Sequence, residues 1–133
     1  MNNALEILVV DNNSDILEVI TCHLMDMGFT KVTQATSSKN AQDCLNQKNF
    51  DLIILDWMLE DGDCFDVLNY INHLDSDKFS ISKNAIKIVI TGKDHPNDIA
   101  RLKSHNINNY FIKPFTSSYF KENLTKVLAK TKG

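Results

Sequence analysis

The sequence predicts an α/β fold of the doubly wound type, a parallel sheet with helices on both faces. Two observations carry this. Five short strand-like runs recur along the chain, several of them apolar on both sides, as strands covered above and below must be. After each run the apolar period changes from two to that of an amphipathic helix. Strand and helix thus alternate five times, which asks for right-handed crossovers and a parallel sheet.

The elements follow in order. "LEILVV" (5–10) is a buried strand ending at Asp11. Ser14 is placed to cap a helix. Ile16, Leu17, Ile20, Leu24 and Met27 recur at helical spacing up to Gly28, a natural stop. "KVTQA" (31–35) alternates like a short strand. Ala41, Cys44 and Leu45 share one face of a second helix, 38–47. "LIIL" (52–55) is a third strand, ending at Asp56. A loop with Gly62 follows, then a helix marked by Phe65, Val67, Leu68 and Ile71. The polar stretch 76–84 reads as a loop longer than most connections. "AIKIVI" (85–90) ends at Thr91-Gly92, and Pro96 suits the first turn of a helix running to Ser104. "NYFI" (109–112) ends at Lys113-Pro114. The last helix, 117–130, has Tyr119, Phe120, Leu124, Val127 and Leu128 as its apolar face.

A chain of 133 residues suits one hydrophobic core, and residues 1–133 read as one domain. A formal net charge of −3 argues against a binder of nucleic acid driven by phosphate neutralisation. No apolar run is long enough to span a bilayer, and "MNNALEILVV" lacks the basic lead and cleavage site of a signal peptide. Cys22, Cys44 and Cys64 are odd in number and widely spaced, with no zinc-like Cys/His spacing. Reduced thiols in a cytoplasmic protein are expected.

In open α/β sheets the ligand crevice lies beyond the carboxyl ends of the strands. Those ends supply Asp11-Asn12, Asp56, Thr91-Gly92 and Lys113-Pro114. Taken singly, each has an ordinary explanation: a cap, a turn residue, a β-branched strand residue, a solvated lysine. Their convergence from four strands does not. Two neighbouring carboxylates repel unless positive charge lies between them. A hard cation such as Mg²⁺ answers that, and Lys113 adds fixed charge.

With these residues in place, the sequence resembles a response-regulator receiver domain of the chemotaxis-regulator (CheY-like) type. "ILVVDN", "DLIILDWMLEDGD", "IKIVITG" and "NNYFIKPF" stand in the family's order and spacing across essentially the whole chain. The resemblance implies a flavodoxin-like (βα)5 fold with strand order 2-1-3-4-5. It implies Asp56 as acceptor of a phosphoryl group from a phosphohistidine on a sensor histidine kinase or phosphotransfer protein, with Mg²⁺ as cofactor. Asp11, Asn12, Asp56 and the backbone carbonyl of Met58 would form the metal pocket. Thr91 would bind a phosphoryl oxygen, and Lys113 would pair with Asp56 and then with the phosphoryl group. Tyr110 would be the aromatic switch residue that moves inward when Thr91 is drawn to the phosphate. The Lys113–Pro114 bond is often cis in this family. The expected output is a changed surface of the fourth helix, fifth strand and last helix, presented to a downstream protein. The chain would be no enzyme beyond catalysing its own phosphorylation and dephosphorylation, and would be a monomer or weak dimer that binds neither nucleic acid nor membrane.

The sequence departs from the family at several points. The family usually carries two adjacent acids after the first strand, and here the second is Asn12, so weaker Mg²⁺ binding is expected. Glu60 stands where proline is common and Cys64 where glycine is common. Glu60 reads as a solvated loop acid and Cys64 as a small packed residue at a helix start. Met58 and Lys93 occupy positions that tune acyl-phosphate hydrolysis in the family. An apolar Met58 would not orient an attacking water, which points to a long-lived phosphoryl state. Asn12 keeps open a second reading, a pseudo-receiver used as a phosphorylation-independent docking module, against which Asp56, Thr91 and Lys113 stand. A flavin-binding protein of the same fold is disfavoured, because "DNNSD" would repel a phosphate at the first helix N-terminus. Met1 and the short tail lean towards a stand-alone regulator, with a receiver excised from a longer protein as the alternative.

Overall fold

A computed structural model describes residues 4–92 and 96–132, without the side chains of Pro96, Asn97, Thr131 and Lys132. The chain runs β1 (Glu6–Val10), α1 (Ser14–Asp26), β2 (Lys31–Ala35), α2 (Ser38–Gln47) and β3 (Leu52–Asp56). A two-strand hairpin follows, β4 (Met58–Leu59) and β5 (Gly62–Asp63), then α3 (Cys64–Asn72) and α4 (Ser80–Lys83). β6 (Ile86–Thr91), α5 (Pro96–Ser104), β7 (Asn109–Ile112) and α6 (Ser117–Lys132) complete it.

The main sheet has five strands in the order β2-β1-β3-β6-β7, all pairs parallel. In sequential strand numbering, with the hairpin set aside, this is the expected 2-1-3-4-5. The period of two decides which side each residue covers. Leu8, Val10, Ile53, Leu55 and Val89 face the layer of α2, α3 and α5, joining Leu45, Phe65, Leu68 and Leu102. Ile7, Val9, Leu52, Ile54, Ile88 and Ile90 face α1 and α6, joining Leu17, Ile20, Leu24, Phe120 and Leu124. All five residues of β3 are buried, as the central strand of a sheet covered on both sides requires.

Several details correct the sequence reading. The N-cap of α1 is Asn13, not Ser14: its side chain accepts from the backbone N–H groups of Asp15 and Ile16. A carboxamide oxygen serves a helix start as well as a hydroxyl does, and Ser14 is drawn into the first turn. The stretch read as a loop, 76–84, contains α4, so there are six helices among the described residues. α4 has no apolar period to announce it. It is fixed by buried Ser82, whose hydroxyl accepts from Phe50 N at 2.9 Å and whose N–H donates to the Asn49 carboxamide. The loop around Gly62 is the β4–β5 hairpin. Tyr119, read as part of the apolar face of the last helix, is 39% exposed, while Phe120, Leu124, Val127 and Leu128 are buried. Gly28 does end α1, at φ 97°.

Candidate functional site at the carboxyl ends of the strands

The sheet delivers its functional side chains by continuing its backbone pairing one residue past the strands. Asp11 N–H donates to the Ala35 carbonyl (3.1 Å), Trp57 N–H to Ile90 (2.8 Å) and Lys113 N–H to Thr91 (2.7 Å). Asp11 therefore stands at the tip of β1, Asp56 is the last residue of β3, Thr91 the last of β6, and Lys113 follows β7. The Lys113–Pro114 bond is cis.

Three charged groups meet there. Lys113 Nζ lies 3.0 Å from Asp56 Oδ1 and 3.7 Å from Asp11 Oδ2. β7 and β3 are two sheet spacings apart, about 9–10 Å, so only a long side chain makes this bridge across β6. Asp11 is 1% exposed. Its Oδ1 accepts from Asn13 N at 2.9 Å, whereas its buried Oδ2 has no hydrogen-bond partner among the described residues. Burial pushes the Asp11 carboxyl above the usual carboxylate range, and the charge of Asp56 adds to that. The Asn13 N–H and the Lys113 ammonium pull the other way.

A cavity of about 350 Å³ opens over this group, lined by Asp56, Trp57, Met58, Thr91, Gly92, Asp98 and Lys113. A carboxylate oxygen, a hydroxyl and an ammonium thus face one space. That set can attack an electrophilic centre and neutralise the oxygens around it. Of the residues expected at the site, Asp11, Asp56 and Lys113 are in direct contact, and Thr91 and Met58 share the cavity wall. Asn12 is exposed and stands outside that wall. Tyr110 is half-buried against the α3-side core, not in the cavity. Glu60 is exposed and Cys64 is fully buried. Lys93 lies outside the described residues. Asp98 on α5 is a cavity residue the sequence did not reveal.

The family model of the response regulator receiver domain matches residues 7–125. The chain belongs to the response-regulator receiver family. It is a CheY-like receiver of two-component signalling. The chemotaxis protein CheY of Pseudomonas aeruginosa is 26% identical over 129 residues, covering 97% of this chain and all of that protein. CheY-3 of Vibrio cholerae is 27% identical over 130 residues, covering 98% and 96%. Solved receivers share the fold at lower identity. CheY4 of Vibrio cholerae superposes with a TM-score of 0.82 at 21% identity, over 93% of this chain and 98% of that one. The receiver domain of the sensor histidine kinase PA1611 from Pseudomonas aeruginosa, solved with a magnesium ion coordinated in its active-site cleft, gives 0.78 at 21%, over 95% and 98%. No helix among the described residues is long and apolar enough to cross a membrane.

Proposed function

We propose that this receiver, residues 1–133 as one domain, takes a phosphoryl group onto Asp56 from a phosphohistidine of a sensor histidine kinase or phosphotransfer protein, and answers by reshaping the surface of α5, β7 and α6. The observation that carries the reading is the Asp56–Lys113–Asp11 contact beneath a cavity walled by Thr91.

The donors fit Mg²⁺. Asp11 Oδ2 is a buried oxygen with no hydrogen-bond partner among the described residues, which a hard cation would satisfy. Among the described residues no three acids, histidines or cysteines cluster to hold a metal. The donor set that the family resemblance implies is Asp11 and Asp56, completed by neutral oxygens from the Asn12 carboxamide and the Met58 backbone carbonyl. When bound, the ion would supply positive charge that lowers the cost of the phosphoryl oxygens beside two carboxylates.

The chain's own residues do the rest. Asp56 presents its carboxylate oxygen as nucleophile, held in place by β3. Lys113 first pairs with that carboxylate and then with the phosphoryl oxygens. Thr91 donates its hydroxyl to one of those oxygens. Drawing Thr91 in would open room for Tyr110, half-buried one strand away, to turn inward. The expected setting is the cytoplasm, the expected state a monomer or weak dimer, and the partners a kinase and a downstream protein, with no role for nucleic acid or membrane.

Trp57 is the sole tryptophan and lies in the cavity wall, so its fluorescence reads the site. Addition of Mg²⁺ and then phosphoramidate should give two successive changes, the second lost in Asp56→Asn. A folded protein that responds to neither would favour the docking-module reading, for which the exposed, neutral Asn12 is the supporting feature.

A further inference from the structure

Asp98 stands in the wall of the cavity that holds Asp56, Thr91 and Lys113, half-buried in the first turn of α5. An acid in a first turn complements the helix dipole, which explains an acidic residue there but not its place in the wall of the cavity that Asp56 also lines. Among the described residues, the ion pairs of Lys113 run to Asp56 and Asp11, not to Asp98. Asp98 therefore adds a negative charge to the cavity over and above the cluster that would accept the phosphoryl group. The cavity is partly walled by Trp57 and Met58, and apolar walls weaken the screening of that charge.

We propose that Asp98 is a specificity-determining residue that disfavours phosphodonors with an anionic leaving group and leaves nitrogen–phosphorus donors, the chemical class of phosphohistidine, little affected. The inference rests on Asp56 being the acceptor. In the transfer, an Asp56 oxygen forms a bond to phosphorus as the donor bond breaks. From acetyl phosphate the acyl P–O bond breaks and acetate leaves with the electron pair and a negative charge, which must develop within the field of Asp98. From phosphoramidate the P–N bond breaks and the protonated nitrogen leaves as neutral ammonia. The first donor meets repulsion on entry and on departure, the second much less.

The test is the ratio of two rates, measured with Mg²⁺ on the full chain by Trp57 fluorescence and by intact mass. In Asp98→Asn the rate with acetyl phosphate should rise by about three- to tenfold relative to the rate with phosphoramidate, the scale of one screened charge pair. Asp98→Glu should keep the wild-type ratio. A loss of folding or of helix capping would scale both rates together and leave the ratio alone. An unchanged ratio in Asp98→Asn, with wild type still labelled on Asp56, overturns the inference and leaves the acceptor reading standing. Wild type that takes phosphate from neither donor overturns both.

Discussion

Asp11 carries a charge where a neutral group would sit more easily. Its carboxyl is raised by burial and by Asp56, so the folded chain binds that proton more tightly than the unfolded chain does. Stability from this group is therefore present at low pH and falls as pH rises from the unfolded pKa through the folded one. Asp11→Asn, which keeps an acceptor for Asn13 N–H, should raise the metal-free stability and Tm at neutral pH, while losing the Mg²⁺ response. Melts at neutral and acid pH check it: the gain should shrink on acidification, and a lower neutral Tm than wild type would sink the idea. Cys64 is a second residue-level case. Burial pushes its thiol up to about 12. Ellman's reagent should modify exposed Cys22 in the native protein and reach Cys64 only on unfolding. Asp11, Asp56, Thr91 and Lys113 were legible because a strand ending in a polar side chain declares where that side chain must stand. Asp98 was not, because a helix turns its residues by phase, and the phase relative to the sheet is fixed only by packing.

The elements around Asp56 are held by carboxylates acting on helix starts. Asp63 caps α3 and forms a reciprocal capping box with Asp66. Asp63→Ala should cost about 1 kcal/mol in denaturant unfolding at unchanged slope. Gly62, at φ 152°, has no room for a Cβ against the Asp66 side chain, so hairpin and cap share one geometry. Asp61 reaches the other way. It accepts from Ser38 N at 2.7 Å and Lys39 N at 3.0 Å, tying the loop after Asp56 to the start of α2. Those two N–H groups hold its carboxyl below the usual range. A lowered pKa contributes stability above the unfolded value and loses it as pH falls through the folded one. Asp61→Ala should therefore be less stable than wild type at neutral pH and indistinguishable from it in strong acid; an equal deficit at both would rule out the charge-based account. The five main strands and five of the helices were legible from their periodicity. The hairpin and α4 were not: two-residue strands and a four-residue helix are too short to show a period, and both are set by contacts distant in sequence, Ser82 with Phe50 and Asp61 with Ser38.

At the scale of the molecule, the fold gathers four strand ends so that the lysine after one reaches the carboxylates at two others, and the charge there decides how stability and the proposed ion binding trade against each other. Two carboxylates share one ammonium, and the residue after Asp11 is the neutral Asn12. A ligand that binds only the folded state stabilises it by RT ln(1 + [L]/Kd), about 2.7 kcal/mol at a hundredfold excess over Kd. Asn12→Asp adds a negative charge beside Asp11, so its metal-free fold should melt below wild type. The same charge should tighten Mg²⁺ binding by about tenfold, one charge pair at a partly solvated site. Melting curves over a Mg²⁺ series should then cross: Asn12→Asp less stable without the ion, equal at an intermediate concentration, more stable at high concentration. Curves that stay parallel would show that position 12, exposed as it is, does not face the ion. Wild-type Mg²⁺ affinity would then rest on Asp11, Asp56 and the backbone alone.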